Sequence, residues 1–379
     1  MTAPSSLLDL DDVDALLAAD VDGSLRFAAL GGAQIRATQA AVEEDGFARL
    51  QGLQPRSVVL VTGEGPASRA AELVTAAVGS RIGIPLVESG DTPLWVGPLD
   101  VVVVAGDDAG DPRLVESVDR ALRRGAEVVV AAPDEGPLRA AGAGRATVLP
   151  PRVAVPHHHG LLRYLAAFLA VLTAIDAERA AKVCPDLGRL ADALDDEALR
   201  DHPRNEVFHN PAKSLAARMQ GRRVVLAGDT RVTTHLARHG SEILLRCGAA
   251  VTAAADLPGV LSGVQRFGSS ATAMPPGYDP LFHDEQLDGP VPGMPLRVFV
   301  LSAEADRPVV DRRVAVLPDA DVVVAASEQA EPSSPPGPPG SAGPSPAVPA
   351  ATRTEIEQIA VLVGRLEMSA AYLRLIGGN

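Results

Sequence analysis

The stretch Val101-Val-Val-Val-Ala-Gly-Asp-Asp-Ala-Gly-Asp-Pro112 decides the fold. An unbroken valine run suits a strand covered on both faces, and such strands belong to parallel sheets. Ala-Gly-x-x-Ala-Gly then forms a tight loop, and Pro112 opens a helix at the position where a missing N–H costs nothing. Loops at this place commonly hold a phosphate against the helix start. This one carries Asp107, Asp108 and Asp111, so no phosphate is expected against Asp107 and Asp108 at neutral pH.

Working outward, the same pattern repeats on both sides. A strand over 58–62 runs into Gly63-Glu-Gly-Pro-Ala-Ser68 and an alanine-rich helix, and 84–87 gives a short strand. The helix over 112–124 sets Leu114, Val118, Ala121 and Leu122 on one face, and Gly125 ends it. Strands follow over 126–131 and 146–149. Alternating strands and helices imply a parallel sheet with right-handed crossovers. A helix from about 159 to 174 and polar helical segments to about 200 come next. The pattern then restarts, with a helix over 211–219 and strands over 223–227, 249–253, 296–301 and 320–326.

Residues 331–350 are so rich in Pro, Gly and Ser that they can form neither a ladder nor a core, and a disordered linker is expected there. Beyond it, Ile356, Ile359, Ala360, Val363, Leu366, Ala370 and Leu373 recur at helical spacing, so an amphipathic helix should dock on the body. The expected organisation is an N-terminal helical segment (1–29), a first α/β domain (30–175), a helical connector (176–204), a second α/β domain (205–330), a linker (331–351) and a C-terminal helix packing on the body (352–379).

Composition narrows the function classes. The chain has 379 residues, 46% of them hydrophobic and only 3% aromatic, so Ala, Val and Leu must build the core. A net charge of -14 argues against wrapping nucleic acid, which needs clustered Lys and Arg. Cys184 and Cys247 lie far apart with no CxxC partner, which argues against a disulfide framework or a structural zinc site and fits a reducing cytoplasm. The first twenty or so residues are acidic where a signal peptide would be basic. The most apolar run, 165–175, falls short of the roughly 20 residues of a membrane span, so no membrane association is expected.

Several segments could carry chemistry. His157-His-His159 invites a metal reading, but adjacent residues on a regular helix point roughly 100° apart and cannot converge on one ion; a polar helix start is the expectation, with one of the three free to face a neighbouring site. Gly63–Ser68 is half of a dinucleotide fingerprint without its third glycine, so no nucleotide cofactor is expected. The helix start bearing Ser68 remains open to a phosphate, or is an ordinary turn. Gly228-Asp-Thr-Arg-Val-Thr-Thr234 is friendlier to an anion: Thr230, Arg231, Thr233 and Thr234 offer hydroxyls and a guanidinium beside helix-start N–H groups. The segment 266–272 is also rich in donors. Glu242, on the following helix, suits a general base if buried near substrate and a solvated helix position if not.

The order of these segments resembles the bifunctional phosphoglucose/phosphomannose isomerases, which have tandem sugar-isomerase (SIS) domains. The likeness rests on 58–68, on Thr92-Pro-Leu-Trp-Val96, on Pro151-Arg-Val-Ala154, on Asn210-Pro-Ala-Lys-Ser-Leu-Ala216 with 221–228, and on Leu366-Glu-Met-Ser-Ala-Ala-Tyr-Leu-Arg-Leu-Ile-Gly377. What the resemblance implies is an α/β fold of two tandem SIS-type doubly wound parallel-sheet domains plus a C-terminal helix, a homodimer, and isomerisation of glucose 6-phosphate or mannose 6-phosphate to fructose 6-phosphate. It implies a hexose phosphate as ligand, no metal and no cofactor. Glu242 falls where the family has its catalytic Glu, and Arg152 where it has its Arg. The family's Ser/Thr-rich phosphate loop corresponds here to the acidic 105–111, and 257–263 lacks the family's catalytic His; His157–His159 or His283 would have to substitute. Two readings follow. One is an isomerase, with Ser68 or the Thr230–Thr234 loop gripping phosphate, and the other a sugar-phosphate-binding or regulatory protein that kept the fold and lost the chemistry.

Overall fold

Three helices, α1 (Val13–Ala19), α2 (Ser24–Ala28) and α3 (Gly31–Ala41), lead through a π-helical turn at Val42–Gly46 into the first sheet. That half runs β1 (Ser57–Thr62), α4 (Pro66–Val78), β2 (Leu86–Ser89), β3 (Asp100–Ala105), α5 (Pro112–Arg123), β4 (Glu127–Ala131), α6 (Gly136–Gly142) and β5 (Thr147–Val148). Four helices, α7 (Leu161–Ile175), α8 (Ala177–Ala180), α9 (Leu187–Arg200) and α10 (Pro211–Met219), connect it to the second. The rest runs β6 (Arg223–Gly228), α11 (Arg231–Arg246), β7 (Thr252–Asp256), α12 (Leu257–Gly268), β8 (Leu296–Leu301), α13 (Arg307–Val314), β9 (Ala320–Val323) and α14 (Glu355–Ile376). This computed structural model describes residues 8–268, 294–317, 319–326 and 353–377. The expected linker at 331–351, His283 and residues 269–272 lie outside them.

Both sheets are parallel, with strand orders β2-β1-β3-β4-β5 and β7-β6-β8-β9. Each is the doubly wound arrangement expected from the valine runs. In each, the chain leaves an interior strand (β1 or β6) for the edge strand beside it and then crosses to the other side, so the loops after β1 and β3, and after β6 and β8, diverge. Such switch points open a crevice at the carboxyl ends of the strands.

Strand alternation divides the core. Val101 and Val103 face a central helical layer, while Val102 and Val104 face α5. Leu226, Phe299 and Leu301 of the second sheet face the same central layer, and Val298 and Val300 face α12 and α13. The two sheets therefore share a middle layer built from α4, α7, α10, α11 and α14.

Some expectations shift. The strand expected at 249–253 begins at Thr252, because Ala249 sits at φ 51, in the left-handed region, and turns the chain out of α11 first. The strand expected at 84–87 begins at Leu86: Pro85 has no N–H for the ladder, and only its carbonyl pairs, with Val58 N. The helix expected from 159 starts at Leu161, behind a 3₁₀ turn at His157–His159.

Helix α14 is not amphipathic in place. Val361, Leu362, Met368 and Tyr372 are as buried as the stripe read from sequence, since α9, α10, α11 and α2 enclose it. Helix α7, apolar on nearly every side, is covered within the chain by α4 and α3. No helix among the described residues is long and apolar enough to cross a membrane.

Candidate functional site

At the switch point of the first sheet, the loop after β1 reaches Gly65 at φ 88, a conformation that disfavours any side chain. Pro66 then opens α4, which has no side-chain cap. A Cβ at Gly65 would lie 3.0 Å from His157 Nε2 and 3.9 Å from Arg246 Nη1. Glycine thus lets two basic side chains approach bare backbone at a helix start. Ser68 lies in the first turn of that helix, half-buried. Arg246 is exposed at the end of α11, and no carboxylate among the described residues pairs with it.

Across the crevice, the acidic loop is engaged in holding itself. Asp107 accepts from Arg163 Nη2 at 3.0 Å and from the Tyr164 hydroxyl at 2.6 Å, and its other oxygen meets His157 Nδ1 at 2.5 Å. Burial pushes the Tyr164 phenol well above its ordinary range, so it stays a donor. Asp108 accepts from Gly110 N at 2.8 Å, and Asp111 caps α5 by accepting from Arg113 N at 2.8 Å. The three carboxylates have structural tasks, and Asp107 draws His157 and Arg163 towards the crevice.

Glu242 lies at the seam between the two halves. Arg69 of α4 donates to Glu242 Oε1 through Nε at 2.8 Å and approaches the same oxygen through Nη2 at 2.7 Å. Its Nη1 donates to Glu72 Oε2 at 2.5 Å, and that oxygen also meets His235 Nδ1 at 3.0 Å. Burial lowers the affinity of Arg69 for its proton, but the carboxylates of Glu242 and Glu72 outweigh it and hold Arg69 above its ordinary value. His235 is held below its ordinary value, burial outweighing the attraction of Glu72. Both contacts fall on Oε1 of a Glu242 side chain that is 30% exposed.

The other expected residues lie elsewhere. Arg152 is exposed and makes a two-pronged ion pair with Glu44 of the π-helical turn, at 3.0 and 2.6 Å. The structure does not bring it to Glu242. The hydroxyls offered by the Thr230–Thr234 loop are occupied by the start of α11. Thr230 Oγ1 accepts from Thr233 N, Thr233 Oγ1 accepts from Thr230 N and donates to Asp229, and Thr234 Oγ1 donates to Thr230 O. Asp229 also accepts from Ser302 Oγ at 3.0 Å, which places a carboxylate between the diverging loops of the second sheet. Arg231 remains exposed there.

A buried polar cluster lies behind the first crevice. His159 Nδ1 meets Glu367 Oε2 at 2.6 Å, and His239 Nε2 approaches Glu367 Oε1 at 3.4 Å. Burial opposes charge on both members of the His159–Glu367 pair, but each stabilises the other: the imidazole is held up, to about 9, with Cys247 contributing, and the carboxyl is held down. Sequence reading singled out the histidines of 157–159 but not Arg69, Glu72, Arg163, Tyr164, His235, His239 or Glu367. Only Arg69 and Glu72, three apart on one helix, left a visible sign.

No protein-family model matches the chain, and no curated protein matches it. Solved structures do. Tagatose-6-phosphate ketose/aldose isomerase from Escherichia coli aligns over 99% of this chain and 96% of its own, with a TM-score of 0.57 at 14% identity. The C-terminal domain of glucosamine-fructose-6-phosphate aminotransferase from Francisella tularensis aligns over 95% and 96%, with a TM-score of 0.56 at 8% identity. A glucose-6-phosphate isomerase-like protein from Thermus thermophilus aligns over 98% and 94%, with a TM-score of 0.51 at 18% identity. The fold is thus the tandem SIS arrangement, two parallel-sheet α/β halves with a shared helical layer. At these identities the likeness is one of fold.

Proposed function

We propose that the chain binds a hexose phosphate at the switch point of the first sheet, with the phosphate on the N-terminus of α4 between Ser68, His157 and Arg246. One observation carries this: at Gly65 the backbone is bare, and His157 Nε2 and Arg246 Nη1 converge on it beside an uncapped helix start. Helix-start N–H groups and a guanidinium are the donors that an anion requires. Asp107, tied to Arg163 and Tyr164, then faces the sugar hydroxyls rather than the phosphate. Titration calorimetry with glucose 6-phosphate, mannose 6-phosphate and fructose 6-phosphate tests it. Arg246→Ala is expected to weaken binding by about tenfold or more, as loss of a charge-assisted hydrogen bond of about 1.5–3 kcal/mol implies. No binding by the wild-type chain would end the reading, and wild-type affinity in the variant would move the phosphate elsewhere. In this reading 30–175 and 205–330 act as the two domains.

A second reading, isomerisation of glucose 6-phosphate or mannose 6-phosphate to fructose 6-phosphate, is favoured by Glu242, Arg69, Glu72 and His235 gathering one helical turn from Ser68. In it the Glu242 carboxylate moves a proton between C1 and C2 while Arg69 stays against Oε1. A coupled assay decides: in this reading Glu242→Gln lowers turnover by about 10² or more with hexose phosphate binding retained, whereas a binding-only protein shows no turnover in either form.

A further inference from the structure

His158, His159 and Cys247 offer one donor atom each, all within 4.8 Å of one another. The histidines come from the 3₁₀ turn after Pro156, and Cys247 is the C-cap of α11, so the group joins the end of one half's chain to a helix of the other. His159 and Cys247 are buried and His158 is half-buried, which leaves one side open to solvent.

A second feature points to a ligand. His159 is 1% exposed, and with Nδ1 engaged by Glu367 its Nε2 has no hydrogen-bond partner. An unsatisfied buried polar atom costs about 1–3 kcal/mol. An imidazole oriented by a buried carboxylate through one nitrogen, with the other unpartnered, is how metal-ligating histidines are held. The backbone is fixed as well: His159 N donates to Pro156 O at 2.9 Å, and Gln34 Nε2 donates to His159 O at 3.1 Å.

We propose that His158, His159 and Cys247 bind one divalent transition-metal ion, zinc by the character of its donors, with Glu367 as the positioning carboxylate. Two imidazoles and a thiolate are borderline-soft donors, which suit Zn²⁺ and disfavour Mg²⁺ or Ca²⁺. Three protein ligands leave a fourth position for water or an exchangeable ligand. Binding is proton-balanced. The ion replaces the proton on Cys247 Sγ and any proton on His159 Nε2, and these leave to solvent while Glu367 stays an anion. The expectation that adjacent histidines cannot converge assumed a regular α-helix. Here the 3₁₀ turn sends His157 to Asp107 and leaves the other two beside Cys247. Metal binding does not require the sugar-phosphate reading.

Cobalt is the probe. Full-length protein stripped with a chelator is titrated with Co²⁺ and read by absorbance. One equivalent is expected to bind, with a thiolate-to-cobalt charge-transfer band in the near ultraviolet that Zn²⁺ abolishes. Cys247→Ser should eliminate the band and Cys184→Ser should leave it. His158→Ala, a change at a half-buried side chain that does not threaten folding, should weaken Co²⁺ binding at least about tenfold. Glu367→Gln should weaken it by about 10–100-fold, the usual effect of losing a carboxylate behind a ligating histidine. Absence of the band in the wild type, its survival in Cys247→Ser, or unchanged affinity in His158→Ala would each overturn the assignment. If Cys247→Ser does not fold, His158→Ala decides alone.

Discussion

Arg365→Met is expected to lower the unfolding free energy by about 3–5 kcal/mol, the range found when one partner of a buried ion pair is removed. Arg365 is 4% exposed, in the middle of α14. Its Nε donates to Glu197 Oε1 at 2.6 Å, and Nη1 and Nη2 donate to the carbonyls of Val324 and Ala325 at 2.7 and 2.9 Å. One guanidinium therefore fastens the central helix to α9 and to the backbone just after β9. Methionine fills similar space but leaves two carbonyls without their donor and Glu197 with only the half-exposed Arg200 for its charge. The double variant Arg365→Met, Glu197→Leu removes both charges and should recover much of the loss. Denaturant unfolding monitored by circular dichroism measures both. A loss below about 1 kcal/mol in the single variant would show that the clamp contributes little.

What was legible in the sequence follows from how local each signal is. Valine runs ending in glycine loops report on burial and turn geometry within a few residues, and so the two parallel sheets could be read. The environment of α14 could not, because a helix enclosed by four others carries its apolar residues all round, and choosing Ile356, Ile359 and Val363 as the inner face overlooked Val361, Leu362 and Tyr372. For the candidate site, Ser68 and Glu242 could be proposed as residue types in suitable loops and helices. Their neighbours could not: Arg69 meets Glu242 across 173 positions, and Glu367 meets His159 across 208. Thr230 and Thr233 show the opposite case. Hydroxyls three apart before an apolar helix are as good a capping signal as an anion signal, and the structure shows the cap.

Asp201 sets the second large effect, and its sign can be worked out. Burial above all, then the nearby Glu197 charge, push its carboxyl up to about 8, with Arg365 opposing. The folded chain therefore keeps this proton to a higher pH than the unfolded chain does. The stability this gives is fully present below the unfolded carboxyl's pKa of about 4 and is lost as pH rises through about 8. Across that window one group contributes a slope of at most about 1.4 kcal/mol per pH unit. Asp201→Asn keeps an oxygen to accept from Ala212 N, as Asp201 Oδ1 does at 2.9 Å, and cannot ionise. Subtracting the variant from the wild type cancels other titrating groups, so the difference isolates Asp201. The wild type should lose ground steadily against Asp201→Asn from pH 5 to pH 8.5, and at the alkaline end the variant should be the more stable of the two. A difference independent of pH would mean that Asp201 is ionised in the fold and that Arg365 and Arg200 outweigh its burial. Because Arg365 opposes the upward shift, Arg365→Met should raise the Asp201 carboxyl further and carry the same decline to higher pH at an unchanged slope, which couples the two sites in one measurable quantity.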